Sequence, residues 1–261
     1  MRRANRLPDV TLRIVDRSAA DELDLDGTAA RLGAGGRRRL DEGSPADVRR
    51  FLVGRALITR TVSETFGVAE SLVIVSARCA DCGLEHGRPT VDIGGPTVAA
   101  SVSHTTTSTA VAISSAPSIG IDLERLDPRR FAGVEGVVLS PAELRRWSAL
   151  PGTDRLRALA EHWTMKEAIV KALGTGLRMD PATVELPQPT EVVPVEVVGR
   201  RFVLSRPELA PGLLTAVAVL VSLTGDVPPL SASGRAADVR GTTRRRGGLR
   251  RAPARAARPC G

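Results

Sequence analysis

Tyrosine is missing altogether from the 261-residue sequence, and aromatic residues make up only 2% of it. A core built from this composition must be aliphatic, drawn from Val, Leu, Ile and Ala, and few rings are left on which single-stranded nucleic acid could stack. Long apolar runs are also missing. The most apolar segment, 209-LAPGLLTAVAVLVSL-223, is interrupted by Pro and Gly and is too short to span a bilayer. The N-terminal MRRANRLPDV is basic, but no apolar block follows it, so no signal peptide is expected and the expected compartment is the cytoplasm.

Cysteine is scarce and odd in number: three residues with no secretory context, which argues against a disulfide framework. Two of them lie in 79-CADCGLEHGRP-89, a C-x-x-C followed closely by a histidine. Zinc would need a fourth ligand, and Cys260 is a poor candidate, so the zinc reading stands beside that of a tight turn carrying two thiols.

The net charge of +8 suggests a nucleic-acid partner until it is mapped onto the chain. Residues 225–261 hold nine Arg against Asp226 and Asp238, which leaves about one net positive charge for everything before them. This tail is rich in Arg, Gly, Ala and Pro and almost free of large apolar residues, so a disordered, solvated extension is expected. Its charge supports weak contacts with anionic polymers but no specific nucleic-acid site.

The preceding 224 residues show the periodicities of a folded α+β protein. Alternating or β-branched stretches mark strands at 10–15, 72–78, 98–104, 109–114 and 119–126, and 192–205 reads as a hairpin turning at Gly199-Arg200. A further strand is expected within 213–223. Helices are expected at 44–67, opened by Ser-Pro and closed by Gly, and at 140–150, where Ser140 and Glu143 form a capping box. A third helix covers 161-EHWTMKEAIVKALG-174. SPADVRRF at 44–51 and SPAELRRW at 140–147 match position for position with conservative changes only. With similar element types in both halves, that match suggests two pseudo-symmetric subdomains, 1–117 and 118–224, with a ligand cleft between them.

Chemistry concentrates in two segments. On the strand 119-IGIDLE-124, a period of two puts Ile119, Ile121 and Leu123 on one face and Gly120, Asp122 and Glu124 on the other. Adjacent carboxylates repel unless solvated or neutralised. They mark either an exposed strand face or a hard cation such as Mg²⁺, with Gly120 leaving room for a bulky ligand. On the third helix, Met165, Ala168, Ile169, Ala172 and Leu173 form an apolar face, while Thr164, Glu167 and Lys171 share a polar stripe. Glu167–Lys171 could be an ordinary i,i+4 pair worth about 0.2–0.5 kcal/mol. A third carboxylate for the metal and a lysine for phosphate would account for both. Lys166 falls on the apolar side, where the plain expectation is a side chain that snorkels its charge to solvent, and it fits neither reading of the polar stripe. His104 shares a strand face with Val102 and suits either a core or a polar rim facing an anion.

The blocks 101-SVSHT-105, 119-IGIDLE-124 and 162-HWTMKEAIVKALGTGL-177, together with 50-RFLVGRALITR-60 and 87-GRP-89, closely resemble the 4′-phosphopantetheinyl transferases of the surfactin-synthetase-activating type. The resemblance covers roughly residues 10–224 and omits the tail. It implies a monomer of two α+β halves that binds coenzyme A and Mg²⁺ between them. Such an enzyme moves the phosphopantetheine arm to a serine of an apo acyl or peptidyl carrier protein and releases adenosine 3′,5′-bisphosphate. By resemblance, Asp122, Glu124 and Glu167 are the metal ligands, Glu167 is also the general base, and Lys171 contacts the diphosphate. Arg50, Arg88, Ser103 and His104 correspond to coenzyme A contacts. Arg88 stands where the family usually has Lys, and Thr105 replaces a usual Ser. A basic nucleic-acid-binding protein and an inactive carrier-binding relative are the alternatives, and neither explains the three carboxylates.

Overall fold

The structure is a computed structural model that describes residues 10–79, 83–85, 87–95, 97–176, 179–187 and 192–221. Cys82, His86, Cys260 and the 225–261 tail, on which the zinc and polyanion readings turn, lie outside them. No described helix is long and apolar enough to cross a membrane.

The first half contributes β1 (Val10–Asp16), α1 (Leu25–Ala30), α2 (Ala34–Glu42), α3 (Pro45–Phe66), β2 (Ile74–Ser76), β3 (Thr90–Asp92), β4 (Val98–His104) and β5 (Ser108–Ser114). The second contributes β6 (Ile119–Arg125), α4 (Pro128–Phe131), α5 (Glu135–Val138), α6 (Pro141–Ser148), α7 (Gly152–Leu173), β7 (Val192–Val197), β8 (Arg200–Ser205) and β9 (Leu213–Val221). Among the described residues these strands form two antiparallel sheets, ordered β1-β5-β4-β3-β2 and β6-β9-β8-β7.

Each half opens with a strand that pairs with the last strand of its own sheet, Val10 opposite Ser114 and Ile119 opposite Val219. Each also carries a 22-residue helix between those strands. This shared α+β topology is the internal repeat. The two matching Ser-Pro segments are not equivalent within it. Ser44 caps the long α3, Ser140 caps the eight-residue α6, and α7 begins at Gly152 with no side-chain cap. Ser at the N-cap and Pro at the first helical position solve the same local problem wherever a helix starts.

Four hydrophobic clusters are buried among the described residues, and three of them position the site. Val53, Leu57, Ile58 and Val62 of α3 pack on Val91, Val98, Val111 and Ile113. Met165, Ala168, Ile169 and Ala172 of α7 pack on Phe202, Leu204, Ala216 and Ala218. Between the sheets, Ile119, Ile121 and Leu123 meet Ala99, Ala110, Ala112 and Val217. The Ile/Leu face of β6 therefore joins the two halves, and its Gly/Asp/Glu face turns to α7.

Local departures have physical causes. The expected strand 72–78 shrinks to β2, because Glu70–Leu72 form a 3₁₀ turn and only Ile74–Ser76 find a partner, the equally short β3. Helix α7 starts nine residues before the expected Glu161, since nothing after Pro151 breaks it. The hairpin turns at Val198-Gly199 rather than Gly199-Arg200, with φ of +50° and +66°. Positive φ at both central residues gives the twist that a two-residue hairpin loop requires.

Gly120 is needed by the fold, not by a ligand. A Cβ there would sit 1.9 Å from Ala168 O and 2.6 Å from Ala172 N, so β6 and α7 touch backbone to backbone. On the far side of α7, Lys166 does not snorkel but is fully buried, its Nζ donating to Glu143 Oε2 at 2.5 Å and to Val138 O at 2.7 Å. Glu143 also accepts from the N–H groups of Ser140 and Leu186, each at 2.7 Å. Burial alone would push the Glu143 carboxyl up, but Lys166 and the two N–H groups outweigh it and hold it below its ordinary value. The capping-box glutamate thus also pins α5, α6 and the 184–186 segment to α7, and Lys166 is the structural half of that pair.

Gly120→Ala should lower stability by about 1–3 kcal/mol or more, the cost of overpacking against an unyielding neighbour, measured by urea unfolding. Glu143→Leu should cost more than Lys166→Met in the same assay. The first strands an ammonium and two backbone N–H groups, whereas the second leaves Glu143 with both backbone donors; breaking a buried pair typically costs about 3–5 kcal/mol.

Candidate active site

Strand β6 is an edge strand of its sheet, and its free edge is closed by side chains rather than by another strand. The Ile121 N–H donates to Ser101 Oγ and the Leu123 N–H to Ser103 Oγ, both at 3.1 Å. Alternation along β4 sends Ser101 and Ser103 toward β6 and Val102 and His104 toward α3. On that other side, a Cβ at Gly54 would be 3.2 Å from both the His104 ring and Val102.

The residue one step from this ladder is Asp122, which is 5% exposed. Its Oδ1 accepts from Ser103 Oγ at 2.8 Å and from Lys171 Nζ at 2.7 Å. Lys171 also donates to Ser103 Oγ at 3.0 Å and to Ile121 O at 3.2 Å. Asp122 Oδ2 is buried with no hydrogen-bond partner. An unpaired carboxylate oxygen at such depth is expensive, which makes Oδ2 a donor suited to a cation.

Glu124, two residues on, accepts at Oε1 from Arg130 Nη2 at 2.5 Å and from Trp163 Nε1 at 3.0 Å. Burial raises its carboxyl above the ordinary value and the Asp122 charge raises it further, with Arg130 offsetting only part. Glu167 is the freest of the three. Among the described residues it has no hydrogen-bond or ion-pair partner, and the Glu167–Lys171 surface pair does not form because Lys171 turns to β6. Burial first, then the Asp122 charge, push Glu167 up, while Lys171 and Arg130 pull it part of the way back.

These placements bring five of the sequence-derived residues together: Ser103, Asp122, Glu124, Glu167 and Lys171. They do not form a ready-made metal cage, since no three His, Cys, Asp or Glu side chains cluster for an ion among the described residues. The donors on offer are Asp122 Oδ2 and the partnerless Glu167, with Glu124 half engaged by Arg130 and Trp163.

His104 belongs to a second group on the α3 side of β4. Its Nδ1 lies 3.0 Å from Thr109 Oγ1. Burial, then the charges of Lys171, Arg50 and Arg39, drive its pKa down to about 4, so the ring is neutral at pH 7. Arg50 is exposed and paired with Asp47. Arg88 stands apart from both groups, its Nη1 donating to Ser118 Oγ at 2.6 Å and Ala172 O at 2.7 Å. There it caps the Ala172 carbonyl at the C-terminal end of α7, where a cation is favoured. Arg39 and Arg130 were not anticipated, because each reaches its group through a tertiary approach that leaves no periodic trace. Trp163 lies inside the helix motif, but its bond to Glu124 spans 39 positions.

A carboxyl held above its ordinary value binds its proton more tightly when folded, so its ionisation costs the fold more as pH rises past the ordinary carboxylate range. Glu167→Gln should therefore raise the urea midpoint of the metal-free protein at pH 7.5, and the gain should shrink toward pH 4. A gain that is the same at both values would contradict the assigned environment.

Comparison with known proteins places the likeness on this half of the chain. Residues 118–207 match the family model described as the 4′-phosphopantetheinyl transferase superfamily. Among curated proteins, the chain is 38% identical over 63 residues to a holo-[acyl-carrier-protein] synthase of Streptococcus suis (strain 05ZYH33). The alignment covers 22% of this chain and 53% of the relative, so the chain spans about half the length of that protein. The segment that carries Asp122, Glu124, Glu167 and Lys171 is therefore the one similar to a 4′-phosphopantetheinyl transferase superfamily domain.

Proposed function

We propose that the chain is a 4′-phosphopantetheinyl transferase of the surfactin-synthetase-activating type. It moves the phosphopantetheine arm of coenzyme A to a serine of an apo acyl or peptidyl carrier protein, with Mg²⁺ as cofactor. The observation that carries this reading is the buried Asp122 Oδ2 near Glu167, both without a hydrogen-bond partner among the described residues, within the segment that matches the transferase superfamily.

The donor set suits Mg²⁺, which takes one or two carboxylates and fills its remaining positions with water and phosphate. Asp122 and Glu167 would hold it, with Glu124 beside them. When bound, the ion offsets the charge of the coenzyme A diphosphate. Glu167 takes the proton from the carrier serine as general base, which a serine hydroxyl needs because it is a poor nucleophile when neutral. The serine oxygen then bonds to the phosphorus bearing the pantetheine arm, and the bond from that phosphorus to the adenosine bisphosphate breaks. Lys171 stands next to Asp122 and can meet the leaving diphosphate oxygen. His104, neutral at pH 7, offers a ring N–H rather than a charge to a phosphate, with Arg50 and Arg39 supplying the cations. Arg88 and Ser103 act from behind, Arg88 by fixing the end of α7 and Ser103 by orienting Asp122.

Incubation with coenzyme A, Mg²⁺ and a panel of apo carriers should add the mass of one phosphopantetheine to at least one carrier. No mass shift on any carrier would refute the reading. Glu167→Gln should lose transfer while remaining folded by circular dichroism. Chelation of divalent ions should stop the wild-type reaction, and added Mg²⁺ should restore it.

A further inference from the structure

The position of Lys171 raises a question that the proposed reaction leaves open. A lysine meant for a phosphate is fully occupied inside the protein. Its three ammonium protons match three acceptors, Asp122 Oδ1, Ser103 Oγ and Ile121 O, at 2.7, 3.0 and 3.2 Å. Asp122 is 5% exposed, so this ammonium is the counter-charge that keeps the carboxylate tolerable in a metal-free protein.

We infer that Lys171 is a latch that Mg²⁺ must displace from Asp122, so that metal loading releases the lysine toward the diphosphate. The inference rests on the metal reading above. Geometry supports the exchange in three ways. The unpartnered Oδ2 gives the incoming ion a first foothold while Lys171 still holds Oδ1. A divalent ion and an ammonium on one buried carboxylate repel each other, so the bound states compete. The Lys171 side chain keeps 30% of its surface exposed and sits on a flexible four-carbon stem, so it has a way out.

Lys166 supplies an internal control. The sequence contains two lysines, 166 and 171, and the first is 0% exposed in a pair remote from the carboxylates.

The test measures Mn²⁺ affinity by electron paramagnetic resonance, without coenzyme A, for wild type, Lys171→Met and Asp122→Asn. Lys171→Met should bind Mn²⁺ more tightly than wild type, on the order of tenfold, the effect of removing one close counter-charge. Asp122→Asn should bind it far more weakly than either. Equal or weaker binding by a folded Lys171→Met would overturn the latch while leaving the metal site standing. Absence of Mn²⁺ binding by all three proteins, with or without coenzyme A, would remove the metal reading itself. A second measurement needs only wild type labelled with ¹⁵N-lysine. Metal-free protein should show two protected ammonium resonances, and saturating Mg²⁺ should abolish or shift one and leave the other in place. Two resonances unchanged at saturation would sink the latch.

Discussion

A Cβ at Gly120 would lie 1.9 Å from a carbonyl of α7, and this close approach sets the geometry of everything around it. Strand and helix meet at backbone distance, so each later residue on the same face of β6 reaches α7 at a level fixed by the strand rise. Asp122 arrives at Lys171, and Glu124 arrives at Trp163. A larger residue at 120 would lift the strand from the helix and separate these pairs together. The glycine serves the chemistry by letting two pieces of main chain touch, four residues before the last acidic side chain.

Helix α7 carries its two lysines on opposite sides, and the contrast between them organises its electrostatics. Lys166 is sealed against Glu143, and Glu143 is itself held by two backbone N–H groups, so neither charge has anywhere to go. Lys171 is half-buried beside carboxylates that remain partly unsatisfied. One pair fixes the helix in place and the other lies where ligands would enter. Buried ion pairs are weak sources of net stability, so the first is better understood as fixing α5 and α6 in one arrangement.

The sequence made visible what depends on short-range periodicity. The two-residue period of β6 and the helical stripe of α7 were legible because Ile119, Ile121 and Leu123 bury one face and Met165, Ala168, Ile169 and Ala172 another. The caps at Ser44 and Ser140 were legible because they are local. Partnerships across long separations were not. Lys166 looked misplaced on an apolar face because Glu143, 23 residues earlier, had already been given a complete local role as a cap. Lys171 looked paired with Glu167 because spacing on a helix says nothing about an approaching strand. The charge of Arg88 was visible, but its carbonyl partner, 84 residues away, was not.

The serine bonds between β4 and β6 carry one more implication. An unpaired strand edge is a template on which another chain can add a strand, and proteins usually blunt it with charges, prolines or bulges. Here two hydroxyls on the face of one sheet take up the outward N–H groups of an edge strand in the other. The molecule thereby protects itself against edge-to-edge aggregation with residues as small as serine, without joining its two sheets into one.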